Sequence, residues 1–162
     1  ASAAASYVGG RIVTRVGRPL VVGGLVIMLS AVVALALVAY FVPPGIVEFA
    51  MAGVLTVGGF GGGLVISPNQ TLTLADIPVK QGGLAGSVGQ LVQRIGTAVG
   101  TAVALSLFYS TVNRLGGGST PRIDVYHDAY ALGMVSVGLF LALALVLGVA
   151  DLSSRRRRAR QA

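Results

Sequence analysis

The sequence predicts an all-α integral membrane protein: a helical bundle with four full transmembrane helices and the end of a preceding one. Hydrophobic residues make up 54% of the 162 residues and charged residues only 10%, whereas roughly a quarter of the residues in a soluble domain are charged. Four uncharged runs approach or exceed the ~20 residues that span a bilayer as a helix. No period-two alternation predicts strands, and lipid admits only helices or closed barrels.

The first predicted span covers residues 19–42 and the second residues 46–75. No charge interrupts the first run, Pro19 suits the first turn of a helix, and Pro43-Pro44-Gly45 is a strong stop signal. The second span is uncharged from residue 49 onward. Each run is therefore long enough to cross the bilayer once.

The third predicted span covers residues 83–112 and the fourth residues 129–150. The third is uncharged over residues 95–113, and its helical pattern starts near Gly83. An aspartate bounds the fourth run on each side. Together the spans define a transmembrane region over residues 1–154.

A basic tail over residues 155–162 follows the last span. Because Lys and Arg are retained on the cytoplasmic side, we expect the segment before the first span to lie inside. This orientation places nine basic residues inside and two outside. The inner ones are Arg11, Arg15, Arg18, Lys80 and the five tail arginines, and the outer ones are Arg114 and Arg122. We therefore expect a multi-pass protein of the plasma membrane with a cytoplasmic C-terminus.

Composition also excludes several classes of function. The net charge is +7, but the basic residues lie in short clusters between apolar runs, without the single basic face that nucleic-acid binding requires. Cysteine is absent and His127 is the one histidine, so no metal site is predicted. No loop assembles a nucleophile, a base and an orienting group. We expect no enzymatic activity, no cofactor and no nucleic-acid partner.

Glycines and arginines alternate in a tight order just before the first span. The residues are Gly10, Arg11, Arg15, Gly17 and Arg18. This stretch resembles the signature loop of the major facilitator superfamily, Gly-x-x-x-Asp-Arg-x-Gly-Arg-Arg, which joins the second and third helices of a six-helix half. Thr14 and Pro19 replace its aspartate and its final basic residue. The resemblance implies a degenerate conformational loop motif; the arginines also fit simple positive-inside anchoring.

Residues 58–103 resemble the fourteen-helix drug:proton antiporter branch of that superfamily. The matching positions are Pro68, Pro78, Gly82, Arg94, Gly96 or Thr97, and Gly100. The resemblance covers nearly the whole chain and implies the last four helices of a longer transporter, so we expect the N-terminus to be a cut or partial end. It implies the lipid bilayer and the remaining helices of the same transporter as partners, a small hydrophobic or cationic substrate, and protons as the coupling ion.

Glycines also form small-xxx-small patterns on the second and third spans. The predicted packing residues are Gly59, Gly63, Gly82, Gly86, Gly89, Gly96 and Gly100. Such patterns let two membrane helices approach closely. They fit simple helix packing, and they also fit helices that slide or bend during a conformational cycle.

Arg94 belongs to a polar wall on the third span. The other members are Ser87, Gln90, Thr97 and Thr101, and all lie within about 60° of Arg94 at 100° per residue. An arginine at the centre of a membrane helix costs at least ~2.5 kcal/mol. Either Arg94 snorkels to the cytoplasmic headgroups, or the wall lines a substrate cavity, or Arg94 pairs with an acid on another helix.

These patterns favour the C-terminal portion of a secondary active transporter that exports drugs or antibiotics, coupled to protons, by alternating access. Glu48 and Asp76 lie near the membrane boundaries, so we expect solvated residues there and no proton carrier. An alternative is a small four-helix membrane protein with a structural or interaction role. A dimeric small multidrug carrier normally needs a carboxylate deep in its first helix, and residues 19–42 contain none.

Overall fold

The structure is a computed structural model that describes residues 1–43, 45–75, 77–116 and 123–159. Within these ranges the chain forms five α-helices, one short 3-10 helix and no strand. The helices are α1 (Ser2–Val16), α2 (Arg18–Phe41), α3 (Val47–Leu74), α4 (Gly82–Gly116) and α5 (Ile123–Ala159), and the 3-10 helix is Val79–Gln81. Helices α2 to α5 are each long and apolar enough to cross a membrane. The predicted all-helical membrane class is confirmed.

Two helices follow the predicted spans closely, and two extend beyond them. Helices α2 and α3 start and end within one residue of the predicted 19–42 and 46–75. Helix α4 continues four residues past the predicted 83–112, and α5 begins six residues before and ends nine after 129–150. Charged residues set the predicted ends, but many of them are good helix formers that project into water beyond the apolar stretch. Residues 155–159 of the tail therefore continue α5.

The segment expected as a loop around residues 10–18 is mostly helical. Helix α1 runs to Val16, and Gly17 alone separates it from α2. Nothing between residues 11 and 16 breaks a helix, since neither Gly nor Pro occurs there. Gly17 has φ 66° and ψ −140°, a conformation that is close to glycine-only. The chain therefore changes direction at a single residue.

The helices do not pack in the order in which they follow one another along the chain. Helix α1 packs on α3, α3 on α2, α2 on α5, and α5 on α4, while α3 and α4 scarcely touch. The α2–α3 contact is close, as the space at Gly24 shows. A Cβ atom placed on Gly24 would lie 2.9 Å from the carbonyl oxygen of Gly61. Such backbone approach is the geometry that glycines allow in membrane helices.

Helices α2 and α5 are joined at both ends. At one end Arg18 donates from Nη1 to Oδ2 of Asp151 in an ion pair whose side chains are about a third exposed. At the other end the Tyr40 hydroxyl donates to Oδ1 of Asp128 over 2.7 Å, and its ring centroid lies 5.8 Å from that of His127. We name the two ends of the bundle the Arg18 end and the Tyr40 end.

Candidate functional site

Polar side chains line an open groove along one face of α4. The groove has a volume of about 720 Å³. Its lining residues are Gln90, Gln93, Arg94, Thr97, Ala98, Thr101, Ala102 and Leu105. At 100° per residue this lining covers about half of the helix circumference, with Arg94 near its centre. The structure therefore places Gln90, Arg94, Thr97 and Thr101 of the predicted wall in one groove.

A second groove of about 590 Å³ lies between α3 and α4. Helix α4 contributes the remaining predicted wall residue, Ser87, together with Gln90 and Gln93, which also line the first groove. The polar residues from α3 are Asn69, Gln70 and Thr73. Because they share two glutamines, the grooves are continuous with each other. We name the whole the α4 groove.

Four polar members of the α4 groove were not predicted from the sequence: Gln93, Asn69, Gln70 and Thr73. Gln93 points 100° away from Arg94 on a helix, outside the arc of the predicted wall. Asn69, Gln70 and Thr73 interrupt an apolar run, and that interruption was a usable signal. The periodicity of the segments that form α3 and α4 does not show that these two helices lie next to each other.

The hydroxyl groups of the α4 groove donate to the helix backbone. Ser87 donates to the carbonyl of Gly83 and Thr97 to the carbonyl of Gln93, each over 2.9 Å. Such bonds satisfy the hydroxyl donor and leave the oxygen lone pairs able to accept. The amide side chains therefore supply additional donors to any ligand, and the hydroxyls supply acceptors.

Arg94 is exposed, and its guanidinium has no hydrogen-bond acceptor or ion-pair partner among the described residues. The acidic side chains whose surroundings the structure describes all lie at the ends of the bundle. Asp128 accepts from Tyr40, Asp151 pairs with Arg18, and Glu48 lies in the first turn of α3. Asp76 lies outside the described residues. The positive charge of Arg94 is thus uncompensated within the described ranges.

The contacts of α5 set the depth of Arg94 in the bundle. A Cβ atom on Gly133 would lie 3.8 Å from the carbonyl oxygen of Ala104, and one on Gly148 would lie 3.6 Å from Val22. Arg94 is ten residues, or about 15 Å, from Ala104 toward the Arg18 end. Helix α5 runs antiparallel to α4, so the same distance from Gly133 reaches residue 143. This position is five residues, or about 7.5 Å, before Gly148. Counted along α5, Arg94 lies about 7.5 Å from Val22 toward the Tyr40 end. However, its neighbour Gln93 lines a groove with Asn69, which in turn lines a groove with Arg18. Arg94 therefore lies between the level of Arg18 and the middle of α2.

Residues of the N-terminal motif are separated by the structure. Arg11 donates from Nη1 to the Tyr7 hydroxyl over 2.5 Å and lies 5.5 Å from the centroid of that ring. Arg18 reaches α5, and Arg15 lies in the last turn of α1. A Cβ atom on Gly10 would lie 3.3 Å from Oγ of Ser67 on α3. The motif thus serves the α1–α3, α1–α2 and α2–α5 contacts at separate positions.

The predicted packing glycines also divide into two groups. A Cβ atom on Gly63 would lie 2.7 Å from Cβ of Ala5 on α1, and one on Gly59 would lie 4.0 Å from the backbone nitrogen of Ser2. No described atom comes within 4 Å of a Cβ atom placed on the five predicted packing glycines of α4. These are Gly82, Gly86, Gly89, Gly96 and Gly100. Within the described chain, α3 has a glycine contact and the α4 stripe has none.

Comparisons with known proteins point to transport. The chain is 30% identical over 111 residues to a protein named "Probable actinorhodin transporter" from Streptomyces coelicolor. The match covers 68% of the chain and 19% of that protein, so the chain spans about a fifth of the length of this relative. No family model and no solved structure matches the chain. Together with the four apolar helices, the similarity supports a transporter role for a multi-pass membrane protein.

Proposed function

We propose that the chain is the C-terminal portion of a secondary active transporter of the major facilitator superfamily. It exports small organic compounds, such as drugs or antibiotics, across the plasma membrane, and its C-terminus lies in the cytoplasm. The observation that carries this proposal is the α4 groove, in which polar side chains surround an arginine of a membrane-spanning helix. The sequence resemblances and the name of the relative support it.

The α4 groove fits a wall of the substrate pathway. Polar and charged side chains inside a membrane are costly and face protein or a water-filled cavity. Transporters that work by alternating access bind their substrates near the midplane, between two helical bundles. In this proposal α4 contributes one wall of that site.

Coupling to protons requires a carboxylate that titrates within the membrane. Asp128 and Asp151 are engaged in contacts at the bundle ends, and Glu48 is exposed in the first turn of α3. We therefore propose that the proton-carrying acid belongs to other helices of the transporter. These helices close the α4 groove and are the protein partners of this chain.

The test is transport by the intact polypeptide in liposomes. An imposed pH gradient should drive accumulation of at least one compound from a panel that includes 2-naphthoate and ethidium, and a protonophore should abolish it. Arg94→Ala and Gln90→Ala should each reduce the initial rate about tenfold or more, the order expected for lost cavity contacts. Ser110→Ala, on α4 but outside the groove, is the matched control.

Two results would contradict the proposal. If the gradient drives no compound of the panel, the structural or interaction role becomes the better reading of the chain. If Arg94→Ala, Gln90→Ala and Ser110→Ala all transport at the rate of the unmodified protein, α4 does not line the pathway.

A further inference from the structure

We infer that the α4 groove binds the acidic group of an organic anion and that Arg94 is its counter-charge. This inference rests on the proposed function and names the substrate class of the same site. It replaces the cationic substrate that the sequence analysis allowed with an amphipathic carboxylate or a compound of comparable acidity.

The charge of the groove lining favours an anionic ligand. Arg94 is the one charged side chain among the described residues that line the two grooves. The other polar members are neutral amides and hydroxyls, and no acidic side chain that the structure describes contributes. A cationic ligand would meet repulsion and no counter-charge there, whereas an anion would meet a guanidinium.

Arg94 lies away from the described acidic side chains of the chain. Asp128 and Asp151 are occupied at opposite ends of α5 by Tyr40 and Arg18. Glu48 opens α3 at the Tyr40 end, far from the depth of Arg94. Among the acidic side chains whose surroundings the structure describes, therefore, none neutralises Arg94. A bound carboxylate removes this electrostatic cost through charge-assisted hydrogen bonds, which guanidinium groups make in pairs.

The shape and chemistry around Arg94 indicate the rest of the ligand. Ala98, Ala102 and Leu105 line the side of the groove toward the Tyr40 end, and Gln90 and Gln93 line the side toward the Arg18 end. The apolar side accommodates a ring or alkyl body, and the amides bind polar substituents. Volumes of about 720 and 590 Å³ are in the range of roughly 300–1,000 Å³ that holds drug-sized ligands.

Three compounds with one ring system test the inference: 2-naphthoate, the neutral 2-naphthamide and the cationic 2-naphthylmethylammonium. Binding of each radiolabelled compound to the intact polypeptide in nanodiscs gives an anion-to-cation affinity ratio, which does not depend on the amount of folded protein. We expect a ratio of about ten or more, since a charge-assisted pair is worth at least about one decade in affinity. Transport of the same compounds into liposomes under a pH gradient is measured in parallel.

Substitutions test whether the anion-to-cation affinity ratio depends on Arg94. Arg94→Gln should bring the ratio close to one, and Arg94→Lys should retain part of the preference because the ammonium keeps the charge without the paired donors. Arg114→Gln removes one positive charge from the last turn of the same helix, outside both grooves. It should leave the ratio unchanged.

The outcomes separate this inference from the proposed function. A ratio near one in the unmodified protein, or a ratio that Arg94→Gln leaves unchanged, overturns anion binding; it also indicates that Arg94 pairs with an acid of another helix. Gradient-driven transport of any of the three compounds would then still support the transporter. Conversely, an Arg94-dependent preference for naphthoate without gradient-driven transport supports the anion site and overturns coupled export. Binding of none of the three compounds overturns the inference.

Discussion

Gly63 lies where α3 packs directly on the backbone of α1. A Cβ atom there would lie 2.7 Å from Cβ of Ala5 and 2.9 Å from the backbone nitrogen of Ser6, and it would also overlap the carbonyl of Ser2. Backbone atoms cannot move aside as a flexible side chain can. The contact therefore depends on the missing side chain and not on glycine's conformational freedom.

We predict that Gly63→Ala lowers the free energy of unfolding by about 1–3 kcal/mol, the usual cost of overpacking. Titration of the intact polypeptide with SDS in mixed micelles measures the change. Gly62→Ala is the matched control, because its Cβ atom would meet only Sδ of Met28 at 4.0 Å. That substitution should be neutral or stabilising by about 0.5–1 kcal/mol. Equal losses in both variants would contradict the α1–α3 packing.

Gly17 depends on glycine for a different reason. With φ 66° and ψ −140° it occupies a backbone region that costs other residues about 1–3 kcal/mol. Gly17→Ala should lower the midpoint of thermal unfolding in detergent. Gly53→Ala, in α3 with no atom within 4 Å of the new Cβ atom, should not lower it. A Gly17→Ala midpoint equal to that of the unmodified protein would argue against the one-residue junction.

The polar wall shows which residues of the site were predictable from sequence. A helical period of 3.6 residues brings all five residues of the predicted wall to one face whatever surrounds the helix, so these five groove residues follow from spacing alone. Asn69 and Thr73 join them through the placement of α3 next to α4. That placement depends on long-range packing, which local periodicity does not encode.

Among the helices, α2 and α5 form the pair with polar contacts at both ends. The Arg18–Asp151 side chains are 34% and 39% exposed, so solvent screens their attraction only in part. Asp151 also has a further interaction, and a single substitution there would remove more than one contact.

A double-mutant cycle isolates the pair. Arg18→Gln and Asp151→Asn should show a coupling energy of about 0.5–1 kcal/mol in the free energy of unfolding, in the range of partly exposed ion pairs. The coupling should fall at high salt. Combining Asp151→Asn with Arg114→Gln, at the opposite end of the bundle, should give additive effects. Equal coupling in both cycles would contradict a specific contact.

The depth assigned to Arg94 depends on the register of α4 against α5. The chain contains no cysteine, so Ala104→Cys combined with Gly133→Cys introduces one defined pair. The adjacent placement of these positions predicts rapid cross-linking by a short bifunctional maleimide, read as a shift in the mobility of a protease-cut fragment. Gly100→Cys with Gly148→Cys, displaced along the helices, should cross-link much more slowly. The reverse order would change the depth of Arg94.

Helix existence was predictable, and helix ends were less so. Uncharged runs determine where a helix is stable in lipid, which is why the spans at 19–42 and 46–75 match α2 and α3 closely. The ends of α5 depend on helix propensity beyond the lipid, where charged residues also form helix. The same physics makes residues 11–16 helical instead of a loop.

In the molecule as a whole, basic residues concentrate at the Arg18 end. Arg18 and Lys80 lie there, and α5 ends there with its run of arginines, while Arg114 lies at the Tyr40 end. The structure shows which described residues share an end of the bundle, and the positive-inside rule predicts that the Arg18 end faces the cytoplasm. The order in which the helices pack was not predictable, because several arrangements bury similar apolar faces.

Labelling of intact cells tests this orientation. An impermeant maleimide should react with Ile46→Cys, at an exposed position near the Tyr40 end, and not with Ser153→Cys, at an exposed position near the Arg18 end. Permeabilised cells should show both, which controls for reactivity. Labelling of Ser153→Cys alone in intact cells would reverse the topology.

The packing order of the helices has a consequence for biosynthesis. Helix α4 leaves the ribosome directly after α3, yet its extensive contacts within the described chain are with α5, which is translated later. Until α5 emerges, α4 lacks its principal neighbour within the described chain. Truncating translation just before α5 should therefore leave α4 exposed to membrane quality control, whereas a chain that ends after α5 escapes degradation.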